Sequence, residues 1–115
     1  MALRLPAPTN EFRVENGVTV PMRDGVELIA DHYVPLTDRP IGTLLVRTPY
    51  GRGFPLSAVF GGMFAARGYQ VLVQSVRGTF GSGGRFDPTV NEAADGADTV
   101  GWMRQQPWYT GTFVT

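Results

Sequence analysis

Along these 115 residues the spacing of apolar positions changes rhythm several times, and each change predicts an element. Residues 1–12, "MALRLPAPTNEF", show little periodicity and read as a leader, with a partial α/β domain over residues 13–115. In "VTVPMRDGVELIADHYVP", Val18 and Val20 alternate with polar neighbours, Asp24-Gly25 supplies turn chemistry, and a second strand runs from about Glu27 to Val34. That combination predicts a β-hairpin. "GTLLVR" is a short continuous apolar run, which suits a strand buried on both faces.

Ser57 to Arg67 has apolar residues at helical spacing and stops at Gly68, a C-cap residue. The internal Gly61-Gly62 pair weakens that helix by roughly 1 kcal/mol per glycine relative to alanine. "YQVLVQSV", Tyr69 to Val76, is the next strand, and a glycine-rich loop fills residues 77–88. "NEAADGADTVGWMRQQ" predicts a second helix. Asn91 is its expected N-cap, Glu92 and Asp95 suit its first turn, and Val100 and Met103 lie on its buried face with Trp102 beside them. Pro107 ends it, and Thr112 to Thr115 starts another β-like run. Hairpin, strand, helix, strand, helix, start of strand is the order of a mixed α/β sheet. Its parallel strands are joined by right-handed crossovers, with the antiparallel hairpin at the edge.

Composition narrows the function without choosing it. A 43% hydrophobic content is that of a globular domain. Ten basic residues, all arginine, balance ten acidic ones, so no nucleic-acid or membrane-surface partner is expected. The absence of cysteine excludes a disulfide framework, a cysteine-based zinc site and a thiol nucleophile. With no apolar run of signal-peptide or membrane-span length, the expected location is cytoplasmic.

Several residues could carry chemistry. Gly78, Gly81, Gly83 and Gly84 follow a strand and precede a helix, the setting of a phosphate cradle. No Gly-Lys-Ser/Thr follows, however, and the spacing is not G-x-G-x-x-G, so a structural connection is the better reading. His32, the sole histidine, sits mid-strand and away from any serine in a turn, which favours a structural hydrogen bond over a catalytic base. Glu92, Asp95 and Asp98 are spaced to form an acidic helix face, read most simply as solvent-facing charge. Ser57, Ser75 and Ser82 are hydroxyl candidates, but none stands in G-x-S-x-G, the elbow that exposes a nucleophile.

Tyr50 remains. It follows a buried strand in "LLVRTPYGR", at the edge where loops of parallel sheets form crevices. Pro49 stiffens that turn and Gly51 lets it bend. From these residues alone two readings stand side by side: a phenol packed at a sheet edge, or a hydroxyl donating to a developing oxyanion.

"VPMRDGVELIADHYVP", "LLVRTPYGR", "ARGYQVLVQSVRGTFGSGGRFDP" and "NEAADGADTVGWMRQQPWYTG", in this order and with short gaps, resemble the amino-terminal part of one α/β-hydrolase group. It is the cocaine esterase and X-Pro dipeptidyl-peptidase (CocE/NonD) group, which also includes α-amino acid ester hydrolases. The resemblance runs from about Val18 to Gly111. It implies an α/β-hydrolase sheet, with a helical cap and a jelly-roll domain elsewhere in the full-length proteins. It implies a serine hydrolase acting on esters, amides or peptides, with a small-molecule ester or peptide as substrate and with no metal or organic cofactor. Tyr50 matches the tyrosine that donates to the oxyanion in that group. Arg77 and Gly78 match its loop after the fourth strand, which Ser82 helps to shape.

"WYTGTFVT" resembles the entry to the fifth strand, which in the group leads into G-x-S-Y-x-G. The nucleophile, the triad aspartate and the triad histidine are therefore expected beyond Thr115, and the 115 residues alone are expected to be inactive. The alternative is a non-catalytic, degenerate relative that binds a ligand or partner at the sheet's carboxyl edge.

Overall fold

The computed structural model describes residues 11–48, 55–79, 81–85, 91–111 and 113–114. Its strands are β1 (Phe12–Pro21), β2 (Glu27–Pro35), β3 (Gly42–Thr48), β4 (Tyr69–Ser75) and β5 (Phe113–Val114). Helix α1 (Pro55–Ala65) joins β3 to β4, and helix α2 (Glu92–Arg104) joins β4 to β5.

The hairpin turn forms as its sequence predicts, but the first strand begins well before Val18, at Phe12, a residue of the expected leader that pairs with Pro35. Gly25 takes φ +87, and the turn closes with Met22 N–H donating to Val26 O at 2.8 Å. The register of β1 against β2 shifts between Glu15 and Val18. At that bulge Gly17, at φ +72, donates its N–H to Asp31 Oδ1.

The five strands lie in the order β1-β2-β4-β3-β5. The hairpin therefore pairs with β4, antiparallel, while β3 pairs in parallel with β4 on one side and β5 on the other. Strand alternation then sorts the core into two layers. Leu45, Leu72, Leu28, Ala30 and Val20 pack with Met103 of α2 on one face. Val71, Val73 and Tyr33 pack with Ala65 of α1 on the other. The crossover β3-α1-β4 advances one way across the sheet and β4-α2-β5 returns the other way. Two right-handed crossovers of opposite direction must place their helices on opposite faces, as observed.

Helix α1 ends as expected, with Gly68 at φ +95 donating its N–H to Ala65 O at 3.0 Å. Gly61 is required rather than merely tolerated, because a Cβ there would lie 2.7 Å from the Tyr33 ring. The start of α2 differs from expectation. Asn91 stands at the N-cap position, but its side chain makes no capping hydrogen bond. Its backbone carbonyl accepts the N–H of Asp95 instead, at 2.9 Å. Among the described residues no helix is long and apolar enough to cross a membrane.

Candidate functional site at the carboxyl edge of the sheet

Strands β3 and β4 run in register, Thr48 opposite Ser75, so both end at the same edge. Val76 N–H donates to Thr48 O at 3.0 Å, which ties the roots of the two following loops together. Tyr50, the expected oxyanion donor, lies outside the described residues, two positions along the chain from Thr48.

The loop after β4 is built by its own polar groups. β4 pairs with β2 only between Ala30 and Tyr33, and the next part of β2 would otherwise have free backbone groups at a buried edge. Ser82 occupies that place. Its Oγ donates to Ser75 O at 2.7 Å and accepts the Ile29 N–H at 2.8 Å. Gly83 N–H donates to Glu27 O at 2.8 Å, and Gly78 N–H donates to Gly83 O at 2.8 Å. The Ser82 hydroxyl is thus buried and committed in both directions, a structural assignment rather than that of a nucleophile.

Arg77 locks the same loop from the α2 face. Its Nε donates to Asp95 Oδ2 at 2.8 Å and its Nη2 to Asp95 Oδ1 at 2.7 Å, a bidentate pair. Its Nη1 reaches Asp24 Oδ2, in the β1–β2 turn, at 2.9 Å. The two carboxylates raise the Arg77 pKa, and hydrogen bonding to Arg77 in turn lowers that of Asp24. Gly84, at φ +79, passes so close that a Cβ would lie 2.8 Å from Arg77 Cγ.

The acidic helix face is corrected by this arrangement. Asp95 is 1% exposed, not solvent-facing, because an arginine from the end of β4 neutralises it inside the fold. Asp98 is also paired, to Arg23 Nη2 at 2.7 Å, and its pKa is lowered by that hydrogen-bonded partner. Glu92 pairs with Arg47 Nη1 at 2.6 Å.

Arg47 extends the polar layer across the sheet. Its Nε donates to Gln74 Oε1 at 2.7 Å, on the directly opposite residue of β4. Thr99 Oγ1 lies 3.0 Å from that same Gln74 oxygen and 2.8 Å from Asp95 O, so its single proton serves one of them at a time. Sequence reasoning missed Arg47 and Gln74 as partners. The available signal was a charged and an amide side chain directly following the apolar centres, residues 44–46 and 71–73, of the two strands.

His32 stands apart from this edge, opposite Leu72 in the middle of β4. Its Nε2 is 2.7 Å from Gln70 Oε1, and its ring stacks on Trp108 with centroids 4.1 Å apart. Burial lowers its pKa, partly offset by the hydrogen bond to Gln70. Ser57 lies within α1, and Ser75 is fully buried in β4.

A hairpin feeding parallel strands whose carboxyl ends open into loops, with helices on opposite faces, is the amino-terminal part of an α/β-hydrolase sheet. Its family follows from the sequence itself: residues 24–115 match the X-Pro dipeptidyl-peptidase (S15) family, and the chain belongs to it. The cocaine esterase of Rhodococcus sp. (strain MB1 Bresler) is 40% identical over 104 residues, which are 87% of this chain and 18% of that protein. A CocE/NonD family hydrolase from Staphylococcus aureus has the same fold, with a TM-score of 0.77 at 23% identity over 90% of this chain and 22% of its own. An α-amino acid ester hydrolase matches with a TM-score of 0.70 at 26% identity, over 98% of this chain and 22% of its own. The chain thus spans about a fifth of the length of these relatives.

Proposed function

We propose that the chain is the amino-terminal part of a longer serine hydrolase that cleaves ester, amide or peptide bonds through an acyl-enzyme. In this reading Tyr50 donates its phenol hydroxyl to the oxyanion, and the 115 residues alone are inactive. A serine oxygen supplied by the remainder of the protein adds to the substrate carbonyl, and histidine takes its proton. The negative charge that forms on the carbonyl oxygen accepts hydrogen bonds from Tyr50 and from the N–H after the nucleophile. Collapse expels the alcohol or amine, which receives the proton, and water releases the acyl group. A cytoplasmic location belongs to the same proposal, as does a small-molecule ester or peptide substrate.

The observation that carries this reading is the registered end of β3 and β4. The Thr48–Val76 hydrogen bond brings two loops to one sheet edge, and the tyrosine follows two residues later. Loops at this edge of a parallel sheet are where such sheets bind ligands. The match to the S15 family supplies the hydrolytic class.

Reading the gene past the codon for Thr115 tests the proposal. A G-x-S-x-G elbow within about five to ten residues is expected. The longer product is expected to hydrolyse p-nitrophenyl esters or X-Pro anilides, and Tyr50→Phe to lower its kcat roughly 10²–10³-fold. A frame without the elbow leaves the non-catalytic binding protein as the surviving reading.

A further inference from the structure

Strand β1 stands at one end of the sheet, with β2 on one side and no strand on the other among the described residues. Its residues Phe12 to Glu15 pair regularly with β2 before the register shifts beyond Glu15. Leu36 N–H donates to Glu11 O at 2.8 Å, which marks Glu11 and Leu36 as a hydrogen-bonded pair. Such pairs alternate in an antiparallel ladder, so Arg13 and Glu15 also turn their backbone groups toward β2. Phe12 and Val14 then direct their N–H and C=O groups outward, along an open edge.

The side chains of this edge are sorted as strictly as its backbone. Phe12 and Val14 share the face toward α1, where a Cβ on Gly62 would lie 3.0 Å from Phe12 Cζ. Phe12 is still 38% and Val14 36% exposed, so the fold leaves that apolar strip incompletely covered. Arg13 and Glu15 share the other face, and Arg13 Nη2 donates to Glu15 Oε1 at 3.0 Å. That contact takes one of the five guanidinium donors. Opposite charges two residues apart on an edge are complemented by a second copy of the same strand running antiparallel.

Register decides whether the match can be made. A two-fold axis must set outward-facing residues against outward-facing ones, so it passes through a residue and not between two. Four such axes fall on the regular stretch Phe12 to Glu15. An axis at Arg13 sets it against the partner's Arg13, and an axis at Glu15 sets two carboxylates together. An axis at Phe12 sets Val14 and Glu15 against residues that precede β1. An axis at Val14 keeps the pairing inside β1. Val14 then exchanges both backbone hydrogen bonds with the partner's Val14, and each Arg13 faces the partner's Glu15.

We propose that the β1 edge is an interface between two copies of this chain, joined across a two-fold axis at Val14 into one continuous sheet. The charges set the register, and the strip of Phe12 and Val14 supplies apolar burial on the α1 side. This surface lies at the opposite end of the sheet from β5 and does not depend on the hydrolytic reading.

Sedimentation velocity on the full chain that the gene encodes, from about 1 to 200 μM, is expected to show a dimer whose fraction rises with concentration. Arg13→Glu sets like charges across the seam and is expected to raise the dissociation constant roughly tenfold, as is Glu15→Arg. Both side chains are exposed, so neither change should lower the Tm. Mixing the two variants is expected to restore a dimer, because every cross-strand pair is again of opposite sign. The sequence has no cysteine, so Val14→Cys reports on geometry. Hydrogen-bonded antiparallel neighbours have Cα atoms about 5.5 Å apart, within disulfide reach. Val14→Cys is therefore expected to cross-link under mild oxidation, and Thr19→Cys, exposed on the same strand but away from the axis, is not. A chain that stays monomeric overturns the proposal, as does a dimer indifferent to the charge reversals or one that mixing fails to restore. Cross-linking at Thr19 as fast as at Val14 overturns the register. A monomer whose Val14 amide resists hydrogen exchange overturns the proposal by assigning the edge to another strand of the same polypeptide.

Discussion

Arg77 grips Asp95 through two parallel hydrogen bonds of 2.8 and 2.7 Å, joining the loop just after β4 to the first turn of α2. Both side chains are almost fully buried, at 10% and 2% exposure. The loop that leaves β4 therefore begins from a fixed point on the helix that follows it. A buried pair of this kind is costly to break one-sidedly, because the survivor keeps its charge without a partner.

Arg77→Met is accordingly expected to destabilise the fold by about 3–5 kcal/mol, measured by urea unfolding at neutral pH. The double variant Arg77→Met/Asp95→Leu should recover most of that loss, since it removes both charges together. A double variant that is destabilised by the sum of the two single changes would show that the pair acts independently, against this account.

Ser82→Ala removes a hydroxyl that both donates to Ser75 O and accepts from Ile29 N–H. The expected cost is about 1–3 kcal/mol, the penalty for leaving backbone groups unsatisfied at a partly buried edge. Hydrogen exchange localises it: the Ile29 amide should exchange faster, while that of Leu72 in the centre of β4 changes only with global stability.

Gly84→Ala tests how closely the loop packs on the arginine. The residue sits at φ +79, and its new Cβ would meet Arg77 Cγ at 2.8 Å. The strained backbone alone costs about 1–2 kcal/mol, so thermal denaturation should show a lower Tm than a Gly96→Ala control. At Gly96 a Cβ has open space, and alanine is the better helix former, so that control should be neutral or stabilised.

Much of the fold was legible in the chain because its signals are local. The runs read as strands from the sequence, residues 42–47 and 69–76, correspond to β3 and β4, while Asp24-Gly25 marked the hairpin turn and Gly68 is the glycine that follows α1. Strand order was less accessible, since placing β4 between β2 and β3 depends on pairings far apart in sequence. Asp95 shows the same limit at the site. Viewed along its own helix it is one charge among Glu92 and Asp98, and only the arrival of Arg77 from another element makes burial affordable. Ser82 likewise gains its role from Ile29, 53 residues away. Tyr50 stands out in the sequence by its chemistry, and it lies outside the described residues.

His32 provides the pH dependence. Its pKa lies below the ordinary 6.5, chiefly because burial disfavours the imidazolium, while the hydrogen bond to Gln70 and the charge of Glu15 oppose the shift and Arg13 adds to it. The folded state therefore binds this proton less readily than the unfolded chain. Well above pH 6.5 neither state holds it and His32 contributes no pH dependence. As pH falls below that value, the unfolded chain takes up the proton first, so stability declines through the window down to the folded-state pKa. Urea unfolding followed from pH 8 to pH 5 should show this slope, and His32→Gln should flatten it even if it lowers stability overall through lost stacking on Trp108. A slope that survives the substitution unchanged would assign the titration to another group.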